Sequence, residues 1–259
     1  MNTTTLVLPN KSVFQNLEVL DIQVDYLNEL CVGDLPTGSL RNLKVLKIEK
    51  CYSMENAAVL SNLLKRLQNL EKLNCGFMIK LTYVFDSEGL EPDQLMMTNL
   101  RELILRDLWK LQEIWHGPAP HSVFRNLNIL AFRYGHKLKS LLPHHVAQCL
   151  LQLEHLWVEE CCSLNRVIEA SEQIESQMIV IPRLKNIVLR RLPQLSGFNR
   201  SAAIVDHVEC PSLEHFYVDK CPQFSTPATS DFHSRNQVQV NDEEQFISLM
   251  RRMMGTYGF

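Results

Sequence analysis

The chain has 259 residues, 46% of them hydrophobic and 21% charged, with 26 basic against 29 acidic side chains. Such a composition belongs to a globular chain rather than a disordered one, and a net charge of −3 supplies no broad field to attract nucleic acid or an anionic membrane surface. No apolar run approaches the roughly 20 residues that span a bilayer, and residues 1–8 lack the basic start and apolar length of a secretion signal, so neither membrane insertion nor secretion is expected. Eight cysteines are present, but the chain is long, it lacks that signal, and Cys161 and Cys162 are adjacent; free thiols in a reducing, cytoplasmic setting fit better than a disulfide framework.

Residues 1–13 form an amino-terminal edge segment in which Leu6, Val7 and Leu8 could cover the first repeat. From residue 14 one frame recurs: apolar-x-x-Leu-x-x-Leu-x-Leu. It fits Phe14-Leu17-Leu20-Ile22, Leu40-Leu43-Leu46-Ile48, Leu67-Leu70-Leu73-Cys75 and Met97-Leu100-Leu103-Leu105. It continues through Phe124-Leu127-Leu130-Phe132, Leu150-Leu153-Leu156-Val158, Ile181-Leu184-Ile187-Leu189 and Cys210-Leu213-Phe216-Val218, with no polar residue at any framed position. Successive second positions are 26, 27, 30, 27, 26, 31 and 29 residues apart, close to the roughly 20–29 of leucine-rich repeats.

Within each frame the Leu-x-Leu alternation predicts a short strand with two side chains turned inward, and the threefold spacing beyond it predicts a turn or 3₁₀-like return path. Stacked copies then form a parallel sheet on one face. The segments over 55–66 and 143–152 read as helices on the outer side, while 86–98 and 170–180 read as polar surface loops. After Phe224 the composition turns to Ser, Thr, Pro, Asn and Gln, a connector over 225–240. Asn241 with Glu244 resembles a capping box, and Phe246, Leu249, Met250 and Met253 share one face of a helix expected over 241–259 as a cap. The expected architecture is α/β: a curved leucine-rich repeat solenoid of about eight irregular repeats over 14–224, with a parallel sheet on its concave face. Because the amino end has no polar cap, an upstream partner or a longer chain is expected to cover Leu17, Leu20 and Ile22.

The phrases NLEVLDI, NLKVLKIEKCYSM, LRELILRDLWKLQEIWHG, LEHLWVEECCSLNRVIE and IPRLKNIVLRRLPQL resemble the leucine-rich repeats of plant intracellular immune receptors of the coiled-coil, nucleotide-binding type. The likeness runs from about Phe14 to Phe224, and its most specific marks are alternating repeat endings, with Cys at Cys51, Cys161 and Cys221 and Leu-Trp/Pro types at Leu108-Trp109 and Leu192-Pro193. The resemblance implies a sensor for a pathogen effector, or for a host protein altered by one, that restrains a nucleotide-binding module. These residues contain no Gly-x-x-x-x-Gly-Lys-Ser/Thr phosphate loop, so ATP binding is not implied for them.

Residues flanking the inward leucines face the concave side, the natural place for a protein partner. The candidate contacts are Arg106, Arg133, Tyr134, His155, Trp157, Glu159, Arg190, Arg191, His215 and Tyr217, with Trp157, Tyr134, Tyr217, Arg133 and Arg190 as the expected anchors, because aromatic residues and Arg most often hold interfaces. The competing reading makes Arg133, Glu159 and Arg190 lateral ion pairs between rungs. Cys51, Cys161 and Cys221 are expected as buried turn thiols. His207, Cys210, His215 and Cys221 are weighed as zinc ligands and set aside, because Cys210 takes a core position and His215 points the other way. The pairs His144-His145 and His116 with His121 are expected to face solvent. No catalytic motif is found, so neither an enzyme nor a cofactor is expected. Two functions fit: the recognition region of an immune receptor, or a stand-alone adaptor such as a ubiquitin-ligase substrate receptor.

Overall fold

A computed structural model of the chain describes residues 14–23, 38–52, 57–88, 98–117, 119, 123–169, 178–198, 208–224 and 248. The edge segment 1–13, the connector 225–240, the helix over 241–259 apart from Ser248, and Met97 of the fourth frame lie outside these residues. Among the described residues fourteen strands run in chain order: β1 (Val19–Gln23), β2 (Val45–Glu49), β3 (Lys72–Gly76), β4 (Phe85–Asp86), β5 (Glu102–Arg106), β6 (Trp115–His116) and β7 (Ile129–Arg133), then β8 (Ser140–Leu142), β9 (His155–Glu159), β10 (Arg166–Ile168), β11 (Ile179–Val180), β12 (Asn186–Arg190), β13 (Val208–Glu209) and β14 (His215–Asp219). Eight of them form one parallel sheet in the order β1-β2-β3-β5-β7-β9-β12-β14. Every predicted frame supplies one of these strands, and neighbours pair frame to frame, as in Leu46 with Leu73, Leu103 with Leu130 and Leu156 with Ile187.

The second and fourth residues of each strand point into the coil. Leu46, Ile48, Leu73, Cys75, Leu103, Leu105, Leu130, Phe132, Leu156, Val158, Ile187 and Leu189 are all buried, as are Leu43, Leu70, Leu100, Leu127, Leu153, Leu184 and Leu213 one turn earlier. Each such side chain contributes about 1.5–3 kcal/mol on burial, and its cover comes from adjacent coils. In the first coil Leu17 and Leu20 are only half-buried, and in the last Phe216 and Val218 are half-buried, because each of these coils has one strand neighbour among the described residues.

Each strand of the large sheet after β1 is followed by a residue with left-handed backbone: Lys50, Phe77, Asp107, Tyr134, Glu160, Arg191 and Lys220, all with φ between 51° and 60° and none of them glycine. That conformation costs an L-residue about 1–2 kcal/mol. It is held by a main-chain bond to the next strand, as from Phe77 N–H to the Arg106 carbonyl at 3.2 Å and from Tyr134 N–H to the Glu159 carbonyl at 3.0 Å. The turn then drops Cys51, Cys161 or Cys221 into the core. The Cys161 thiol reaches the Glu159 carbonyl at 3.3 Å and the Cys221 thiol the Asp219 carbonyl at 3.4 Å, so the expected buried turn thiols are present. Burial pushes Cys161 up to about 12, which keeps it a protonated, unreactive thiol. At the equivalent place Gly135 sits against the Phe132 ring, and a Cβ there would meet that ring at 2.2 Å. The larger strand residue fills the space that Cys, Met or Leu fills elsewhere.

A ladder not anticipated from the leucine frame runs beside the sheet. The side-chain amides of Asn42, Asn69, Asn99 and Asn126 donate to the carbonyls of Gln15, Arg41, Gln68 and Thr98, each in the preceding coil. The return paths differ more. Three small parallel ladders, β4 with β6, β8 with β10 and β11 with β13, line them. The helix expected over 55–66 is present as Ala57–Leu64, with Leu60, Leu63 and Leu64 in the core. The one expected over 143–152 is reduced to His144–Ala147, because Leu150 already opens the next frame. Ile179 and Val180, expected in a loop, are paired with β13. His144 and His145 are half-buried rather than solvent-facing, with His145 Nε2 at 3.0 Å from the Ala119 carbonyl.

Gly135→Ala should destabilise the fold by about 1–3 kcal/mol or more through collision with Phe132. Chemical denaturation would read this, and a variant as stable as the parent would contradict the packing.

Candidate functional site

First, third and fifth residues of each strand face the concave side, forming three lanes across the sheet. The first lane carries Lys72, Glu102, Ile129, His155, Asn186 and His215 in register, and the third carries Lys47, Asn74, Ile104, Ala131, Trp157, Val188 and Tyr217. The fifth carries Glu49, Gly76, Arg106, Arg133, Glu159, Arg190 and Asp219. All the residues expected on this face stand on it, apart from Tyr134 and Arg191, which occupy its rim at the left-handed turns.

Their exposure is not what alternation alone suggests. Trp157, read as an exposed anchor, is 1% exposed, and Tyr217 is 7% exposed. Both belong to a second apolar cluster with Ile104, Ile129, Ala131 and Val188, so the concave side has a small core of its own. The indole stands beside Ala131, the smallest side chain of its lane, while the Arg133 guanidinium lies 5.6 Å from its ring. Trp157 Nε1–H donates to Glu159 at 3.2 Å.

Glu159 is the hub of this half. Its carboxylate is 2% exposed and accepts from Arg133 Nε at 2.9 Å and Arg190 Nη1 at 3.1 Å; Arg190 Nε also donates to Asp219 at 3.3 Å. The lateral pairs weighed against an interface role are therefore present. Arg191 pairs with Glu160 on the rim. In the first lane, Asn186 Nδ2 donates to His155 Nδ1 at 2.8 Å while Asn186 Oδ1 accepts from His215 Nδ1–H at 2.8 Å. His155 thus acts as an acceptor, and burial holds its pKa below the usual value, partly offset by Glu154 and Glu214 and reinforced by Lys185.

The first half of the face is polar. Arg106 reaches Glu49 two strands away, passing over Gly76, where a Cβ would meet the Arg106 side chain at 3.2 Å. Lys47 lies 3.6 Å from Glu49 and 3.4 Å from Asp21. Between these strands Asn74 is 7% exposed, yet neither its Oδ1 nor its Nδ2 has a hydrogen-bond partner. Asn74 and Glu49 were not among the expected site residues. The signal for Asn74 was a polar residue at a strand position that carries Ile104, Ala131, Trp157 and Val188 farther along, and for Glu49 a carboxylate at the strand position that carries Arg106, Arg133 and Glu159.

The zinc set weighed from the sequence is not brought together: Cys210 is in the core, His215 is on the concave face, Cys221 closes a turn, and His207 lies outside the described residues. Among the described residues one group of metal-ligating atoms does converge, those of Asp86, Glu88 and His116 on the return side, all within 4.8 Å of one another. Also among the described residues, no helix is long and apolar enough to cross a membrane.

Parallel strands in repeat register, inward leucines and the turn thiols define a leucine-rich repeat solenoid, a fold suited to gripping other proteins. The model of the family of plant disease resistance protein RPS2-like leucine-rich repeats matches residues 15–162 and 111–230, and the chain belongs to this family. No curated protein and no solved structure shows a significant match.

Glu159→Ala should cost about 3–5 kcal/mol, because it leaves Arg133 and Arg190 without their shared acceptor; a loss under about 1 kcal/mol on denaturation would show the pairs to be incidental. His155 gives a pH signature. The folded state holds the ring neutral where the unfolded chain protonates it, so the unfolded state binds more protons, and stability is lost as pH falls below about 6.5. The melting temperature of the parent should therefore fall more steeply between about pH 7 and 5 than that of His155→Gln, and parallel curves would refute the assignment.

Proposed function

We propose that this chain is the sensing region of a plant immune receptor of the nucleotide-binding type. It binds a pathogen effector, or a host protein that an effector has altered, on the concave face, and within a longer chain it restrains a nucleotide-binding module. The work is recognition without catalysis, in the cytoplasm. Family membership supports the defence role, and a repeat solenoid supports protein binding.

The observation that carries the concave-face reading is Asn74. A buried amide left without partners costs about 1–3 kcal/mol, and here one donor and one acceptor stand unspent in the middle of the polar half of the sheet. A partner's peptide group or side-chain amide offers the complementary acceptor and donor once Lys47 or Arg106 swings aside. The rim adds Tyr134, half-buried with the Arg133 guanidinium 5.3 Å from its ring, and the exposed Arg191. Trp157, Arg133, Arg190, Glu159 and Tyr217, with Asp219 balancing the second guanidinium, then serve as the stiff, charge-neutral floor on which these contacts are mounted, with Arg106, His155 and His215 alongside.

Effectors recovered with the chain from leaf tissue by co-precipitation would be titrated calorimetrically against Asn74→Leu and the double variant Tyr134→Ala/Arg191→Glu. Each should weaken binding by at least about tenfold, while Asn74→Leu melts no lower than the parent because it removes an unpaired polar group. If both variants bind as the parent does, the partner sits elsewhere.

A further inference from the structure

On the return side of the third and fourth coils, β4 and β6 pair with Phe85 opposite Trp115 and Asp86 opposite His116. Alternation sends Phe85 and Trp115 inward, where their rings stack at 4.6 Å, and leaves Asp86 and His116 at the surface as neighbours. Glu88 is brought to them by a fixed turn. Ser87 N–H donates to the His116 carbonyl at 2.9 Å, and its hydroxyl donates to the same carbonyl at 3.1 Å while accepting from Trp115 Nε1–H at 2.8 Å. Gly117, with φ +80°, lets the chain at Glu88 come so close that a Cβ would meet Glu88 N at 2.9 Å.

The imidazole is oriented from both sides. Its Nδ1 lies 2.5 Å from Glu113 Oε1, and the Tyr83 ring stacks on it at 4.8 Å with planes 15° apart. Since a carboxylate only accepts, Nδ1 carries the hydrogen, and in the neutral ring the lone pair is at Nε2. That nitrogen lies 3.3 Å from Glu88 Oε2.

We propose that Asp86, Glu88 and His116 Nε2 bind a divalent ion of the zinc class, with Glu113 as the positioning residue for His116. Two ligands about 2.0–2.1 Å from a tetrahedral zinc are themselves about 3.3–3.4 Å apart, which is the Nε2 to Oε2 separation seen here. A carboxylate on the far nitrogen of a ligating imidazole is the usual outer support of such ions. Three carboxylates around one neutral ring also leave local negative charge that a dication neutralises. The mixed nitrogen and oxygen set disfavours magnesium and calcium, which take all-oxygen shells. Three protein ligands leave a fourth position to water. The ion would pin the turn at Glu88 to the following coil.

The test uses the full chain carrying Cys162→Ser, which removes an exposed thiol, after chelator treatment and dialysis. Calorimetric titration with Zn²⁺ should give one equivalent bound, with affinity reduced at least about tenfold in His116→Ala and in Glu88→Gln, and by a comparable factor in Glu113→Gln. Co²⁺ should give a visible absorption band without the near-ultraviolet thiolate band, and His116→Ala should lose it while keeping the parent's circular dichroism. No binding by the parent, Zn²⁺ affinity unchanged in His116→Ala, or a thiolate band with Co²⁺ would each overturn the proposal.

Discussion

No coil of this protein can bury its own leucines, and that constraint orders the rest. A leucine such as Leu103 is sealed only when Leu73 and Leu130 lie beside it in register. A slip of one residue in any strand would turn its inward pair outward, because side chains alternate along a strand. The steps between coils vary from 26 to 31 residues, yet the strand register never varies, so the differences in length fall entirely outside the sheet. The left-handed residue closing each sheet strand after β1, and the asparagine ladder opening β2, β3, β5 and β7, mark off the regular part of the coil. The return path between one strand of the sheet and the next is free to differ.

The eight strands were legible because two periods coincide, the alternation within a strand and the recurrence of the frame. Direction was therefore readable for every strand residue, and exposure was not. Trp157 faces the concave side as alternation requires, but whether it meets solvent depends on Ala131, Arg133 and Glu159, the first two of which lie 26 and 24 positions away in sequence. Tyr217 is hidden in the same way by belonging to the cluster around Val188. The asparagine ladder was visible as letters, at Asn42, Asn69, Asn99 and Asn126, but its role needed the carbonyl of the previous coil in view. Asp86, Glu88 and His116 follow no spacing rule, since their meeting is set by the path of two return segments. The helix at Ala57–Leu64 was readable from its apolar face, whereas the one at His144–Ala147 was cut short by the next frame, which opens at Leu150.

The concave face divides into halves of different character. From β7 onward its middle lane is a packed apolar floor bordered by arginines and carboxylates that neutralise one another, which leaves little ionic pull on a partner. At β2 and β3 the lane is polar, with Lys47 and Asn74, and contains an amide with both its hydrogen-bonding atoms unspent. Recognition that begins at the amide and spreads over the neutral floor would depend on fit rather than on long-range attraction, in keeping with a chain of net charge −3.

Among the described ion pairs of the concave face, the one between Arg106 and Glu49 alone skips a coil, because Gly76 offers no side chain to stand in its path. A linear array coupled only between adjacent members can part at its weakest joint, as a zipper does at a missing tooth. A strap across three members makes that joint fail only together with its neighbour, so fraying that starts in the first coil meets a clasp at the second. The absence of one methyl group thereby sets how far a local opening can run along the molecule.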